Sequence, residues 1–301
     1  MMEDTSLMEL LQSKDYGKIL SVYQKQPLNA IAVAADSLRQ GEIYNVAIAL
    51  YQYLLEQKED AKFYYGIGQC YGKLYNYERS LLYLDKAFNL EKDRTEGANY
   101  YAYILERNFL MDRAYEWYQK ALNKGYENDL WTLSHYAYFL EKYNKKVEAK
   151  QTYEDVLDRN SAYTWAVKRY AIFLLKENEP EQSMKLMQEA LDKHPNNPFV
   201  KLNYLEYLII REMTDEYEEY LHNIRYEKSP LPFQVLIDLF DYFFRYLLND
   251  NSEILKVKAY EEKAKQLPDS IHRDFDELDE MLIAKNGDMT EWKRLIQFLV
   301  K

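Results

Sequence analysis

The sequence predicts an all-α chain of stacked helical hairpins, about six to eight of them, with a C-terminal helical cap. Three observations predict it. Eight glycines and seven prolines in 301 residues are about half the usual combined share, too few for the turns of a many-stranded β protein. A triad of residues, mostly small, spaced 12 and then 7 apart recurs every 33 to 35 residues. A short polar turn falls at the same place inside each triad, so every unit reads as helix, turn, helix. Internal periods of this length mark repeat arrays, in which one hairpin cannot bury its apolar face alone.

Taken in order, the triads are Ala35–Ala47–Leu54, Gly68–Ser80–Ala87, Ala102–Ala114–Ala121, Ala137–Ala149–Val156 and Ala171–Ser183–Ala190. Leu205–Tyr217–Ile224 keeps the spacing but loses the small residues. The first member sits on the first helix, where the second helix crosses. The other two lie seven residues apart, close to two helical turns, on one stripe of the second helix. Small side chains there let the paired helices approach. Large residues fill the space around them: Leu38, Tyr71, Leu105, Leu140 and Leu174 on first helices, and Tyr51, Leu84, Tyr118, Tyr153 and Met187 on second helices. The turns are Gln40-Gly41-Glu42, Tyr75-Asn76-Tyr77, Asn108-Phe109-Leu110, Tyr143-Asn144-Lys145 and Asn178-Glu179-Pro180.

With these residues in view, the chain resembles the tetratricopeptide repeat family, and the resemblance implies that the hairpins stack into a right-handed α-α superhelix. The clearest unit is Tyr64–Leu90, YYGIGQCYGKLYNYERSLLYLDKAFNL. Five units run from about Asn29 to Pro195 and a degenerate sixth reaches about Pro230, so the resemblance covers about two-thirds of the chain. The family's tryptophan near the start of the first helix is replaced by Tyr64, Ala98, Leu133 or Val167, and its closing proline is clean only at Pro195. The expected division is a capping helical pair over 1–28, repeats over 29–60, 61–94, 95–128, 129–162, 163–196 and 197–230, and degenerate repeats or a cap over 231–301. The N-terminal pair is read from Ser6 to Gln26, turning at Lys14-Asp15-Tyr16 and packing through Ile19 and Tyr23. The cap is read as four helices: Pro232–Leu248, apolar on nearly all sides; Ser252–Leu267; Ser270–Lys285, stopped at Asn286-Gly287; and Thr290–Val300, with Trp292, Leu295, Phe298 and Leu299 on one face. Terminal units of a repeat array must cover its open end. The same C-terminal helices also offer a surface for a homodimer.

Composition excludes several functions. The formal net charge of −11 disfavours general nucleic-acid binding, which depends on phosphate neutralisation by Lys and Arg. The acidic start Met1-Met2-Glu3-Asp4 is unlike a signal peptide. The most apolar stretch carries Asp238, Asp241 and Arg245, so no membrane span is read. A single cysteine, Cys70, cannot form an intramolecular disulfide, which fits a cytoplasmic protein. His135, His194, His222 and His272 share no metal-ligand spacing with one another or with Cys70, and no metal or cofactor is predicted. Gly66, Gly68 and Gly72 lack the spacing and the preceding strand of a phosphate loop. His272-Arg273-Asp274 matches a kinase triplet in letters only.

The resemblance implies that the first helices line a concave face. Carried across unit by unit, the lining comprises Tyr65 and Gln69; Asn99, Tyr100 and Tyr103; Trp131, Ser134, His135 and Tyr138; Trp165, Lys168 and Arg169; and Asn203 and Glu206. Aromatics with polar tips, together with Arg, are common interface anchors. The bland alternative is that they pack on the neighbouring helix and show only an edge. Family members that clamp chaperone C-termini use Lys and Asn on successive first helices. Here those positions are Tyr65/Gln69, Asn99/Tyr103, Ser134/Tyr138 and Lys168/Ile172, of which only Lys168 is basic, so that clamp is not expected. The expected function is a noncatalytic scaffold binding a protein or peptide. The alternatives are a peptide-sensing regulator, a chaperone or immunity-type partner of a toxin or secreted protein, and, more remotely, a helical-hairpin enzyme.

Overall fold

The computed structural model describes residues 21–23, 25–225, 229–248, 253–268, 271, 273–285 and 287–299. Described helices fall in hairpin order. They are α1 (Leu28–Gln40), α2 (Tyr44–Gln57), α3 (Ala61–Lys73), α4 (Tyr77–Leu90), α5 (Ala98–Arg107), α6 (Met111–Ala121), α7 (Leu130–Lys142) and α8 (Lys146–Arg159). There follow α9 (Thr164–Lys176), α10 (Pro180–Lys193), α11 (Pro198–Ile210), α12 (Thr214–Arg225), α13 (Leu231–Leu247), α14 (Glu253–Ala264), α15 (Asp276–Ala284) and α16 (Met289–Gln297). No strand occurs among the described residues. The all-α repeat reading holds. The chain divides into two compact units, Met1–Ala149 and Lys150–Lys301. The N-terminal pair expected over Ser6–Gln26, with Ile19, lies outside the described residues except for its last few.

Local chemistry starts the helices. Asp60, Asn76, Asp129 and Asn197 each accept a backbone N–H of the first turn, at 3.0, 3.1, 2.8 and 2.9 Å, satisfying a donor the helix leaves open. Pro180, Pro198 and Pro232 occupy first-turn positions where no N–H is needed. All eighteen triad positions are buried. In two units the spacing of 12 is also a hydrogen bond. Ser80 Oγ donates to the Gly68 carbonyl at 2.7 Å, and Ser183 Oγ to the Ala171 carbonyl at 2.6 Å.

The hairpin turns share one backbone device. Glu42, Tyr75, Phe109, Asn144, Asn178 and Glu212, spaced 33 to 35 residues apart, all have φ between 53° and 64°. In each, the N–H of the next residue reaches the carbonyl five back. Examples are Ile43 to Leu38 at 2.8 Å, Leu110 to Leu105 at 3.0 Å and Met213 to Leu208 at 3.0 Å. This is the paired C-terminal cap that normally uses glycine. A side chain in this left-handed region costs about 1–2 kcal/mol, and Phe109 stands 88 % exposed there. Phe109→Gly is therefore expected to stabilise the chain by about 1 kcal/mol, read as a raised midpoint in thermal unfolding followed by circular dichroism.

In the second unit the apolar helix α13 buries Phe233, Leu236, Leu239, Phe240, Phe243 and Phe244. Its acidic Asp241, fully buried, is paired with Arg225 at 2.5 Å and Arg245 at 3.2 Å. The apolar face of α16 lies in the same core: Trp292 and Leu295 are buried, as is Leu299 beyond its end, and Phe298 is partly covered. The helix expected from Ser270 begins only at Asp276. Residues 271 and 273–275 are a non-helical connection whose Phe275 meets Phe240 and Trp292 edge-on. No described helix is long and apolar enough to cross a membrane.

Candidate functional site

In the first unit, five of the expected site residues line one cleft of about 850 Å³: Tyr65 and Gln69 from α3, Asn99 and Tyr100 from α5, and Trp131 from α7. On α3 the lining is a single stripe, Lys62, Tyr65, Gly66, Gln69 and Lys73, because steps of three and four residues return to one helix face. Exposed lysines stand at its two ends, about 16 Å apart by helix rise. Asp36, Arg39 and Glu42 form one rim; Arg94, Glu96, Gly97 and Tyr126 form another.

The polar tips are tied together. Gln69 Nε2 donates to Tyr65 Oη at 3.0 Å, and Tyr100 Oη donates to the Gln69 carbonyl at 3.3 Å. Asn99 Nδ2 donates to Thr132 Oγ1 at 2.9 Å, joining α5 to α7. Arg94, nearly buried, pairs with Glu91 and Glu96 and lies 4.7 Å from the Tyr65 ring centroid. Tyr65, Tyr100 and Tyr103 are only partly exposed. Burial raises the phenol pKa of Tyr65, Tyr100 and Tyr103 well above the ordinary value, and Tyr138 is buried with the Lys142 ammonium 4.0 Å from its ring centre. Tyr103, Trp131 and His135 instead form a ring cluster, with centroids 4.3 to 5.7 Å apart. Tyr103, His135 and Tyr138 are not among the cleft's lining residues.

The glycines of α3 serve this packing. A Cβ on Gly66 would come within 2.5 Å of the Tyr51 ring, and one on Gly72 within 2.1 Å of Tyr100 Oη. Gly97 combines φ 77° with a virtual Cβ 2.0 Å from Tyr65 Oη, so only glycine serves there. Cys70 is fully buried, and burial pushes its thiol up to about 12, which suits a packing residue rather than a nucleophile. Among the described residues, no group of three or more His, Cys, Asp or Glu side chains is placed to hold a metal ion.

In the second unit, the remaining expected residues meet their own chain. Lys168 Nζ, on α9, donates to Glu206 Oε1 of α11 at 2.7 Å and to the Asp274 carbonyl at 3.1 Å. Arg169 is 2 % exposed and pairs with Asp274 and Glu277. Arg273 donates to Asn203 Oδ1 at 2.8 Å and also pairs with Glu206. Asn203 Nδ2 donates to the Thr164 carbonyl at 2.7 Å. Trp165, Lys168, Asn203, Arg273 and Asp274 border a cavity of about 190 Å³.

Among the lining residues that sequence reasoning missed are Lys62, Lys73, Arg94, Gly97 and Tyr126. The two lysines were findable, since they continue the Tyr65/Gln69 stripe at helical spacing. The other three lie on connections between hairpins, which no repeat position marks.

No family model matches the chain, and no curated protein matches it. Solved structures do. A tetratricopeptide repeat protein from Parabacteroides merdae aligns over 90% of this chain and 98% of its own, with a TM-score of 0.60 and 9% identity. The MamA RS-1 ArsTM double mutant aligns over 55% of this chain and 93% of its own, at TM-score 0.50 and 8% identity. At such identities the likeness is one of fold. The chain has the tetratricopeptide-repeat fold.

Proposed function

We propose that the chain is a noncatalytic scaffold that binds an extended peptide segment of a partner protein in the first-unit cleft. The observation that carries this reading is the convergence of Tyr65, Gln69, Asn99, Tyr100 and Trp131, from three first helices, on one polar cleft. Rings held by neighbouring hydrogen bonds offer contact area at little further entropic cost. The α3 stripe between Lys62 and Lys73 matches about five residues of extended chain, and the lysines at its ends favour acidic groups there. Asn99 and Gln69 supply amides for a backbone.

Selection of a displayed library of unstructured peptides on the full chain tests the reading. The selected peptides are expected to lose binding at least tenfold to Tyr100→Ala plus Trp131→Ala, with helicity by circular dichroism unchanged. Undiminished binding by that folded double variant would sink the cleft as the site.

A further inference from the structure

The second unit presents a different surface, and its own chain fills it. Residues 273–277, Arg-Asp-Phe-Asp-Glu, lie against α9 and α11 much as a bound peptide would. The Asp274 carbonyl is captured by the Lys168 ammonium. Asp274 and Glu277 pair with the Arg169 guanidinium, and Asp276 stands 3.6 Å from it. Phe275, between the acids, turns into an aromatic recess beside Phe240 and Trp292. Arg273, Asp274 and Phe275 are non-helical, and among the described residues just before them the Ile271 N–H reaches the Leu299 carbonyl at 2.7 Å.

Lys168 and Arg169 are both less than a tenth exposed. Two adjacent buried cations are costly unless each meets an anion. A buried ion pair, however, adds little net stability over a nonpolar replacement. The face is thus specific for acids, yet exchanging one set of carboxylates for another is close to neutral. The cis segment wins by its tether, which acts as an effective concentration in the millimolar range.

We propose that the Lys168–Arg169 face is a recognition site for an acidic peptide with an aromatic residue between its acids, and that residues 273–277 occupy it as an intramolecular ligand that such a partner must displace. This surface is independent of the first-unit cleft and of the reading placed on it.

The test uses the full chain and a fluorescein-labelled peptide of sequence IHRDFDELD, that of residues 271–279. In the variant Asp274→Asn/Asp276→Asn/Glu277→Gln the cis carboxylates are gone and the shape is kept. That variant is expected to bind the peptide at least tenfold more tightly than the wild type, by fluorescence anisotropy. Adding Arg169→Gln should return binding to the wild-type level. A cooperatively melting triple variant that binds no better than wild type would overturn the proposal. Should the triple variant not fold, hydrogen exchange on the wild type decides. Amides of 274–284 are expected to exchange before those of α13, and faster with excess peptide. Exchange of the two segments only together, unaffected by peptide, would equally overturn it.

Discussion

Glu206→Ala is expected to destabilise the Lys150–Lys301 unit by about 3–5 kcal/mol, the cost of removing one partner from a buried ion pair. Glu206 is fully buried and holds both Lys168 and Arg273. Its loss leaves Lys168 with the Asp274 carbonyl and a carboxylate of Glu277 at 3.5 Å, and Arg273 with the Asn203 amide oxygen. For a unit of this size, the unfolding midpoint should fall by roughly 10 °C or more, measurable by scanning calorimetry. A drop of only a degree or two would mean that the network is not closed as described.

The same carboxyl gives a pH dependence with a definite sign. Burial alone would raise it, but the charges and hydrogen bonds of Lys168 and Arg273 outweigh burial and hold it below its ordinary value of 4.5. A folded-state pKa below the unfolded one means the unfolded chain takes up the proton first in acid. The stabilisation is therefore complete above about 4.5 and is lost as pH falls through the folded value. Glu206→Gln should flatten that acid limb, read as the pH dependence of the unfolding midpoint.

Gly68→Leu is expected to have the second largest effect, about 3 kcal/mol or more, at the upper end for overpacking. Even a bare Cβ on Gly68 would stand 2.7 Å from Leu84 Cγ and Cδ2, and 3.3 Å from the Leu84 backbone nitrogen. The first clash could be relieved by moving a side chain, the second only by separating α3 from α4. Separation would stretch the 2.7 Å bond from Ser80 Oγ to the Gly68 carbonyl. Urea unfolding should show a lower midpoint. Gly68→Ala combined with Leu84→Ala should cost less than the sum of the single changes by about 0.5–3 kcal/mol, because the two side chains compete for one space.

The contacts behind these predictions differ in how legible they were. Gly68, Ser80 and Leu84 lie within one hairpin, so their meeting is written as a spacing of 12 and 16 residues that recurs in the other units. The tyrosines divided less cleanly. Tyr51, Tyr118 and Tyr153 are buried at the large-residue positions the pattern assigns. Tyr65, Tyr100 and Tyr103 sit on first helices where the pattern sets no packing partner; Tyr65 meets Arg94 on an irregular connection, and Tyr103 meets Trp131 and His135 of the next unit. The turn device was half visible. Asn144 and Asn178 suit a left-handed backbone, whereas Glu42, Tyr75, Phe109 and Glu212 give no such signal, because closure of the hairpin imposes the conformation on them.

By itself the sequence determined the all-α repeat array and the buried triads, since each depends on residues within about 20 positions of one another. Tertiary structure alone decided that Arg169 meets Glu277, 108 residues away, and that the face carrying Lys168 is filled by the chain's own acidic segment. No period relates those positions. Their pairing follows from where the C-terminal helices come to rest on α9 and α11, and from the need of two buried cations for anions.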